Sequence, residues 1–339
     1  MNSLERIAAT VAFEESDRVP VIAQVFGQAA VMSGVSLEAY VQDGELLAQC
    51  QIKALEKYGY DAVFAVMDVN VETEALGSML RYRKNQYAVV ERHAFTNDSD
   101  WGRSPLPDPE TAGRMPEMLK ALRILRRNLG EEVLVVGCVL GPLTLASQLL
   151  GAETTLYLAI DDPEKFGRLI DFSTEVVIRF GLAQIQAGAH LPLVFDPFAS
   201  PSVIPYQFFR EFELPRLKKV FKTFRQAGAM ANWLHIAGPA QSILPFYPQA
   251  EVHIANFDYG ITSQEAQSRL PNTCLNGNLR SISFVEGNPE DIKAEALTLL
   301  SSFASRRGFI LSSGCEIPPE SNPENISALV EAVQSQGRG

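Results

Sequence analysis

Cysteine is scarce, basic charge is outnumbered and long apolar runs are missing from this chain of 339 residues. The four cysteines, Cys50, Cys138, Cys274 and Cys315, form no Cys-x-x-Cys pair. At this length that argues against a disulfide framework and makes the cytoplasm the expected compartment. Each thiol is then either a small core residue or a chemical one. Lysine and arginine number 29 against 40 aspartates and glutamates, for a formal charge of -11. A nucleic-acid binder carries a basic face, so no nucleic-acid partner is expected. The short basic run over 120–127 holds four cations and reads as a solvated helix face. No apolar stretch reaches the roughly 18 residues of a membrane span. Residues 1–10 (MNSLERIAAT) lack a charged segment followed by an apolar core, so no secretory signal is expected. Hydrophobic residues make up 46% and charged residues 20%, a composition of folded chains.

What is present is a rhythm. Eight apolar, β-branched runs bounded by turn residues occur at 21–26, 61–68, 133–141, 191–196, 230–235, 251–257, 273–279 and 308–313. They lack strict alternation, as strands buried on both faces do. Amphipathic segments lie between them at 44–58, 115–128, 162–186, 205–226, 263–270, 289–306 and 323–334. Eight strands alternating with helices predict an α/β fold, a (β/α)8 TIM barrel formed as a single domain over 1–339. An open doubly wound sheet would want a glycine-rich loop after its first strand. Phe26-Gly27-Gln28-Ala29 has one glycine. The stretch 81–116, with Tyr82, Tyr87, Trp101 and four prolines, reads as an insertion after the second strand.

A barrel of this kind places chemistry at the carboxyl ends of its strands. Those ends carry Gln24, Asp68, Cys138, Asp196, His235, Asp258, Asn278, Cys315 and Glu316, with Glu72 and Glu74 close behind Asp68. His235 and Cys315 are far apart in sequence yet share one rim, and imidazole and thiolate are both zinc ligands. Each also has a plain structural role open to it, as a hydrogen-bonded wall residue and a small buried one. Asp196, Asp68 and Asp258 close apolar runs and are either functional carboxylates or helix caps. Asn278 either contacts a ligand or serves turn chemistry.

The chain resembles the uroporphyrinogen decarboxylase superfamily and, within it, the methylcobalamin-dependent methyltransferases that methylate thiols such as coenzyme M. The resemblance rests on Asp17-Arg18-Val19-Pro20-Val21, Glu74-Ala75-Leu76-Gly77, Leu140 to Ala146, and Asp196-Pro197-Phe198-Ala199-Ser200. It continues in Leu234-His235-Ile236, Asn276-Gly277-Asn278, and Gly314-Cys315 through Pro323-Glu324-Asn325. It implies a (β/α)8 barrel. The decarboxylase branch carries arginines in its N-terminal motif to hold substrate carboxylates. Here Ala23 to Ala29 has none, which argues against a substrate with eight carboxylates.

The methyltransferase branch holds zinc with a His-x-Cys pair and a later cysteine. His235 and Cys315 match two of these positions, and Ala237 stands at the third. Three readings stay open. An oxygen from Glu316, Asp196 or Asp258 completes a zinc site; or the site is metal-free with a non-thiol partner; or the chain binds a corrinoid or tetrapyrrole without turnover. The resemblance therefore implies an enzyme moving a methyl group between a cobalamin, carried by a corrinoid protein, and a small-molecule donor or acceptor. His235 and Cys315 are the expected metal ligands. Asp196, Asp258 and Glu316 are the expected acid–base groups, and Gln24, Asp68 and Asn278 the expected cofactor contacts. The rival enzyme reading is a decarboxylase of a smaller carboxylate.

Overall fold

A computed structural model describes residues 1–339 except 98, 100, 305, 306 and 337–339. The strands are β1 (Ala62–Phe64), β2 (Met79–Arg83), β3 (Gln86–Arg92), β4 (Leu134–Leu140) and β5 (Leu191–Phe195). They continue as β6 (Trp233–His235), β7 (Ile254–Asn256), β8 (Cys274–Leu279) and β9 (Phe309–Ser313). Seven of these form one parallel sheet in the order β1-β4-β5-β6-β7-β8-β9. Every residue of β4 and β5 is buried, which is why those runs read as continuous hydrophobic stretches. Helices cover the outer face, so the architecture is an α/β barrel.

The expected first strand over 21–26 is shorter than its apolar run suggests. Only Val21 bridges a strand, pairing in parallel with Leu311. Yet this segment closes the barrel. Val21 O accepts from Asp61 N (2.8 Å), while Ile22 N donates to Leu311 O and Leu311 N to Pro20 O, both at 2.9 Å. Regular pairing fails for local reasons: Pro20 has no N–H, and the Val21 amide goes to Asp61 Oδ2 at 2.7 Å. Asp61 is fully buried and also receives Ser3 Oγ at 2.7 Å, with Arg6 and Arg18 guanidinium nitrogens at 2.8 Å. The Asp17-Arg18-Val19-Pro20 motif thus knots the bottom of the barrel.

The helices start where their caps allow. Asp43 accepts from Glu45 N and Leu46 N to begin Gly44–Tyr58. Asp162 accepts from Lys165 N, and Pro163 follows at the first helical position of Pro163–Gln186. The expected helix 205–226 is broken. Tyr206–Phe208 leads into a π-turn at Phe209–Glu213, and Leu214–Gln226 resumes. Pro215 lacks the donor that would continue the ladder, and the wider turn carries Glu213 into the interior, fully buried. The helix expected at 289–306 is observed as Pro289–Ser302, and the end expected for it at 306 lies outside the described residues.

The stretch expected as an insertion over 81–116 holds most of the antiparallel hairpin of β2 and β3, which begins earlier, at Met79, and turns at Lys84–Asn85 with Asn85 left-handed (φ 59°), and also holds the short turn Trp101–Arg103. Asn70 Nδ2 donates to Ala88 O (2.8 Å), which ties the hairpin to the loop after β1. Among the described residues no helix is long and apolar enough to cross a membrane.

Candidate active site at the barrel mouth

The carboxyl ends of the strands surround a cavity of about 210 Å³. Its apolar wall is Phe26, Val66, Val69, Phe195, Pro197 and Ala237, and its polar groups are Asp68, Tyr87, Cys315 and Glu316. Phe26 packs edge-on against Phe64 and Phe195, with ring centres 5.0 and 6.1 Å away.

Glu316 is the titratable centre of this cavity. Tyr87 Oη, brought from the hairpin, donates to Glu316 Oε1. The Gly27 amide donates to both, at 2.9 Å to Tyr87 Oη and 3.3 Å to Glu316 Oε1. A Cβ at Gly27 would lie 2.6 Å from the tyrosine oxygen, so this approach requires glycine. Burial pushes the Glu316 carboxyl up to about 7, against the pull of the Tyr87 and Gly27 hydrogen bonds. At neutral pH it can give or take a proton. Beside it, burial pushes the Cys315 thiol up to about 11, so it is a thiol and not a thiolate. Its backbone is pinned by an exchange of hydrogen bonds with Ser281 Oγ at 3.0 and 3.1 Å.

Asp68 lines the cavity but is already occupied. Arg114 clamps it with two hydrogen bonds (2.8 and 3.0 Å), and Asn70 N adds a third at 2.8 Å. The same guanidinium reaches Glu74 (2.5 Å) and Val41 O (2.8 Å). Glu72 is buried deeper, accepts from Leu140 N at 2.8 Å and is pushed up to about 7 by burial.

His235 ends β6 beneath the cavity. Its ring stacks on Phe195 at 4.4 Å, and burial pushes its pKa down to about 3, so it is neutral. Neither ring nitrogen has a hydrogen-bond partner among the described residues. Gln24 is buried and donates through Nε2 to Ser313 O at 3.1 Å.

The other expected residues stand outside the cavity lining. Asp196 is fully buried and accepts from Thr144 N (2.9 Å) and Thr144 Oγ1 (2.6 Å), capping the helix Pro142–Leu150. Gly141 makes room for it, since a Cβ there would lie 2.1 Å from the carboxyl carbon. Glu213 lies against it, and burial raises the proton affinity of both carboxyls. Asp258 accepts from Gly238 N and Tyr259 N, both at 2.7 Å, and so joins the loops after β6 and β7. Asn278 donates to Asp258 O (3.2 Å) and Ile261 O (2.8 Å), and borders a separate groove with Ser263 and Glu295.

The structure thus brings Asp68, Cys315 and Glu316 to one cavity with His235 below it. Two contributors leave no mark in the sequence pattern. Tyr87 and Arg114 sit in the 81–116 stretch, and no spacing rule connects them to residues 316 and 68. Glu213 carries no signal beyond lying in an amphipathic segment. Nor do the side chains present fit a three-ligand zinc site. Ala237 offers the cavity a methyl group where a third ligand would stand. Among the described residues no group of three or more histidine, cysteine, aspartate or glutamate side chains could hold a metal ion.

The uroporphyrinogen decarboxylase (URO-D) family model matches residues 2–336. The methylcobamide:CoM methyltransferase MtaA of Methanosarcina barkeri is 29% identical over 335 residues, covering 96% of each chain. A uroporphyrinogen decarboxylase of Xanthomonas euvesicatoria is 28% identical over 305 residues, covering 86% of this chain and 84% of its own. The solved structure of a methyltransferase from Methanosarcina mazei superposes with a TM-score of 0.90 at 27% identity, covering 98% of both chains.

Proposed function

The chain belongs to the uroporphyrinogen decarboxylase family, and on that premise we propose that it is a methyltransferase working in the cytoplasm. It moves a methyl group between a corrinoid carried by a partner protein and a small molecule bound in the mouth. Similarity over nearly the whole chain to methylcobamide:CoM methyltransferases supports this reading. The observation that carries it is the lining of the mouth. A porphyrinogen substrate with many carboxylates needs unpaired cations. The cavity lining holds no lysine or arginine, and the nearby Arg114 is consumed by Asp68 and Glu74. A volume of about 210 Å³ suits a small molecule, with the corrinoid meeting it from outside.

Glu316 supplies the proton chemistry. A corrinoid, when bound, would supply or accept the methyl group together with the change of electron pair on its metal, and a neutral acceptor H–X–R that becomes methylated must lose its proton to a base. Glu316 as carboxylate takes it. In the reverse direction Glu316 as acid would protonate the heteroatom that gives up its methyl group. Tyr87 and the Gly27 amide hold the carboxyl in place for either direction. Because the zinc donor set is incomplete, no step is assigned to a metal Lewis acid, and Cys315 serves as an uncharged wall.

The test is spectroscopic. The protein is mixed with methylcobalamin and a panel of alcohols, thiols and amines, and the corrinoid absorbance is followed. Loss of the methylcobalamin spectrum with one acceptor class, abolished in Glu316→Gln, is the expected result. An unchanged corrinoid with every acceptor, together with carbon dioxide release from a small carboxylate, would overturn the proposal in favour of a decarboxylase. Tight corrinoid binding without any turnover would mark a binding protein.

A further inference from the structure

Three aromatic rings stand among the walls of the mouth cavity. Phe26 lines it from the segment that closes the barrel, Phe195 from the end of β5, and Tyr87 from the hairpin. The planes of Phe26 and Phe195 stand 80° apart with ring centres 6.1 Å apart, so they meet as two walls near a right angle. The His235 ring covers one face of Phe195 at 4.4 Å, and the cavity meets the part of the ring that His235 leaves open. Val66, Val69, Pro197 and Ala237 complete the apolar surface.

Charge at this cavity has one sign. Among the described residues its lining holds two carboxyls, Asp68 and Glu316, and no lysine or arginine. Arg114 clamps Asp68 at 2.8 Å and also meets Glu74 at 2.5 Å. One guanidinium thus answers two carboxylates and has no charge to spare for a ligand. Among the described residues the hydrogen-bond partners of Glu316 are the Tyr87 hydroxyl and the Gly27 amide, both uncharged. A buried carboxyl without a cation tends to keep its proton, and a cation placed beside it restores the carboxylate. Aromatic rings carry negative potential on their faces and attract weakly hydrated cations, methylated ammonium groups above all. An aromatic, apolar cavity with a carboxyl and no resident cation has the chemistry to hold such a group. It offers an anion no counter-charge.

We propose that the mouth binds a methylated ammonium group, set against Phe26, Phe195 and Tyr87 with Glu316 as its counter-charge. A volume of about 210 Å³ has room for a group of this size. The proposal rests on the methyl-transfer reading for what the molecule undergoes: the heteroatom that gains or loses the methyl group is then a nitrogen. It rests on the cavity alone for what the molecule looks like.

Binding can be read without turnover. The whole chain is titrated in a calorimeter with tetramethylammonium chloride, with tert-butanol as its uncharged near-isostere, and with sodium ethanesulfonate. Tetramethylammonium is expected to bind about tenfold more tightly than tert-butanol, and ethanesulfonate not to bind. Glu316→Gln removes the counter-charge and is expected to weaken the cation about tenfold. Phe195→Leu keeps apolar bulk but loses the ring, and is expected to weaken it about two- to thirtyfold. Both variants should bind tert-butanol as the wild type does. Should Phe195→Leu not fold, Val69→Lys tests the same preference at a position that lines the cavity and is 43% exposed. It should weaken tetramethylammonium and admit ethanesulfonate. Equal binding of tert-butanol, ethanesulfonate binding to the wild type, no tetramethylammonium binding, or a cation affinity that survives both Glu316→Gln and Val69→Lys would overturn the proposal and leave a plain apolar pocket. Tetramethylammonium binding with an unchanged corrinoid for every methyl donor and acceptor would keep the proposal and remove the methyl-transfer reading. Corrinoid turnover with thiols or alcohols and no cation binding would do the reverse.

Discussion

Asp61 and His235 are equally buried, each at 0% exposure, near opposite ends of one barrel. Their surroundings differ completely. Asp61 is met by Ser3, Arg6, Arg18 and the Val21 amide, all between 2.7 and 2.8 Å. His235 has no partner for either ring nitrogen among the described residues, and its neighbours Asn256 and Asn276 are also incompletely paired. A buried donor or acceptor left unmet costs about 1–3 kcal/mol. The bottom of the barrel is finished by mutual pairing of charges, whereas the level below the mouth carries neutral polar side chains that are unpaired among the described residues. That division agrees with the rule that strand carboxyl ends carry chemistry and the opposite face carries stability.

The comparison can be broken most sharply at Glu316. Glu316→Gln removes the proton carrier and is expected to cut methyl transfer about 100- to 10,000-fold. Denaturant unfolding should meanwhile show no loss of stability, because the glutamine still accepts from Tyr87 and Gly27. A variant that unfolds readily, or one that keeps its rate, would place Glu316 with the structural end.

Asp61→Ala is the mirror experiment. It takes the carboxylate from Arg18 and the Val21 amide, while Arg6 keeps Asp17, a change worth about 1–3 kcal/mol. The midpoint of urea unfolding should fall accordingly, while activity per folded molecule is retained. A loss of activity in protein still shown to be folded would break the division of labour.

The third prediction concerns pH. Burial raises the carboxyls of Glu72 and Glu316 from 4.5 to about 7, and those of Asp196 and Glu213 in the same direction. Between the unfolded and folded values the native state binds more protons than the unfolded one, so stability falls as pH rises. It is greatest below about pH 4.5 for these groups and declines through pH 7. Glu213→Gln, which mimics the protonated form, should flatten part of this slope in unfolding curves taken across that range. An unchanged slope would mean that the Asp196–Glu213 pair shares no proton.

The smallest effect is expected from Tyr87→Phe. The tyrosine hydrogen bond holds the Glu316 value down, so its loss should move the corresponding limb of the pH–rate profile upward with the protein still folded. A limb that stays in place would show that Tyr87 only shapes the cavity.

Much of this molecule is legible in its amino-acid order. The runs around β4, β5 and β9 read as buried strands, and the pairing of Asp162 with Pro163 marks the helix that follows. The strand ends include three of the four polar groups that line the mouth: Asp68, Cys315 and Glu316. The apolar run over 21–26 overstates the first strand, because Pro20 and the Asp61 side chain interrupt the pairing it suggests. Position along the chain does not rank the carboxylates either. Asp196 and Asp258 look as available as Glu316, and both are engaged, one capping a helix and the other joining two loops.

Sequence by itself determined the alternation of strands and helices, the faces that must be buried and the polar residues that end each strand. These follow from hydrophobic periodicity and capping chemistry, which act within a few residues along the chain. Tertiary structure alone decided which charges are spent and which remain free. Arg114 finds Asp68 across 46 positions, Thr144 finds Asp196 across 52, and Tyr87 finds Glu316 across 229. Proton affinity depends on those distant partners and on burial, so a carboxylate acquires its role only when the barrel closes around it.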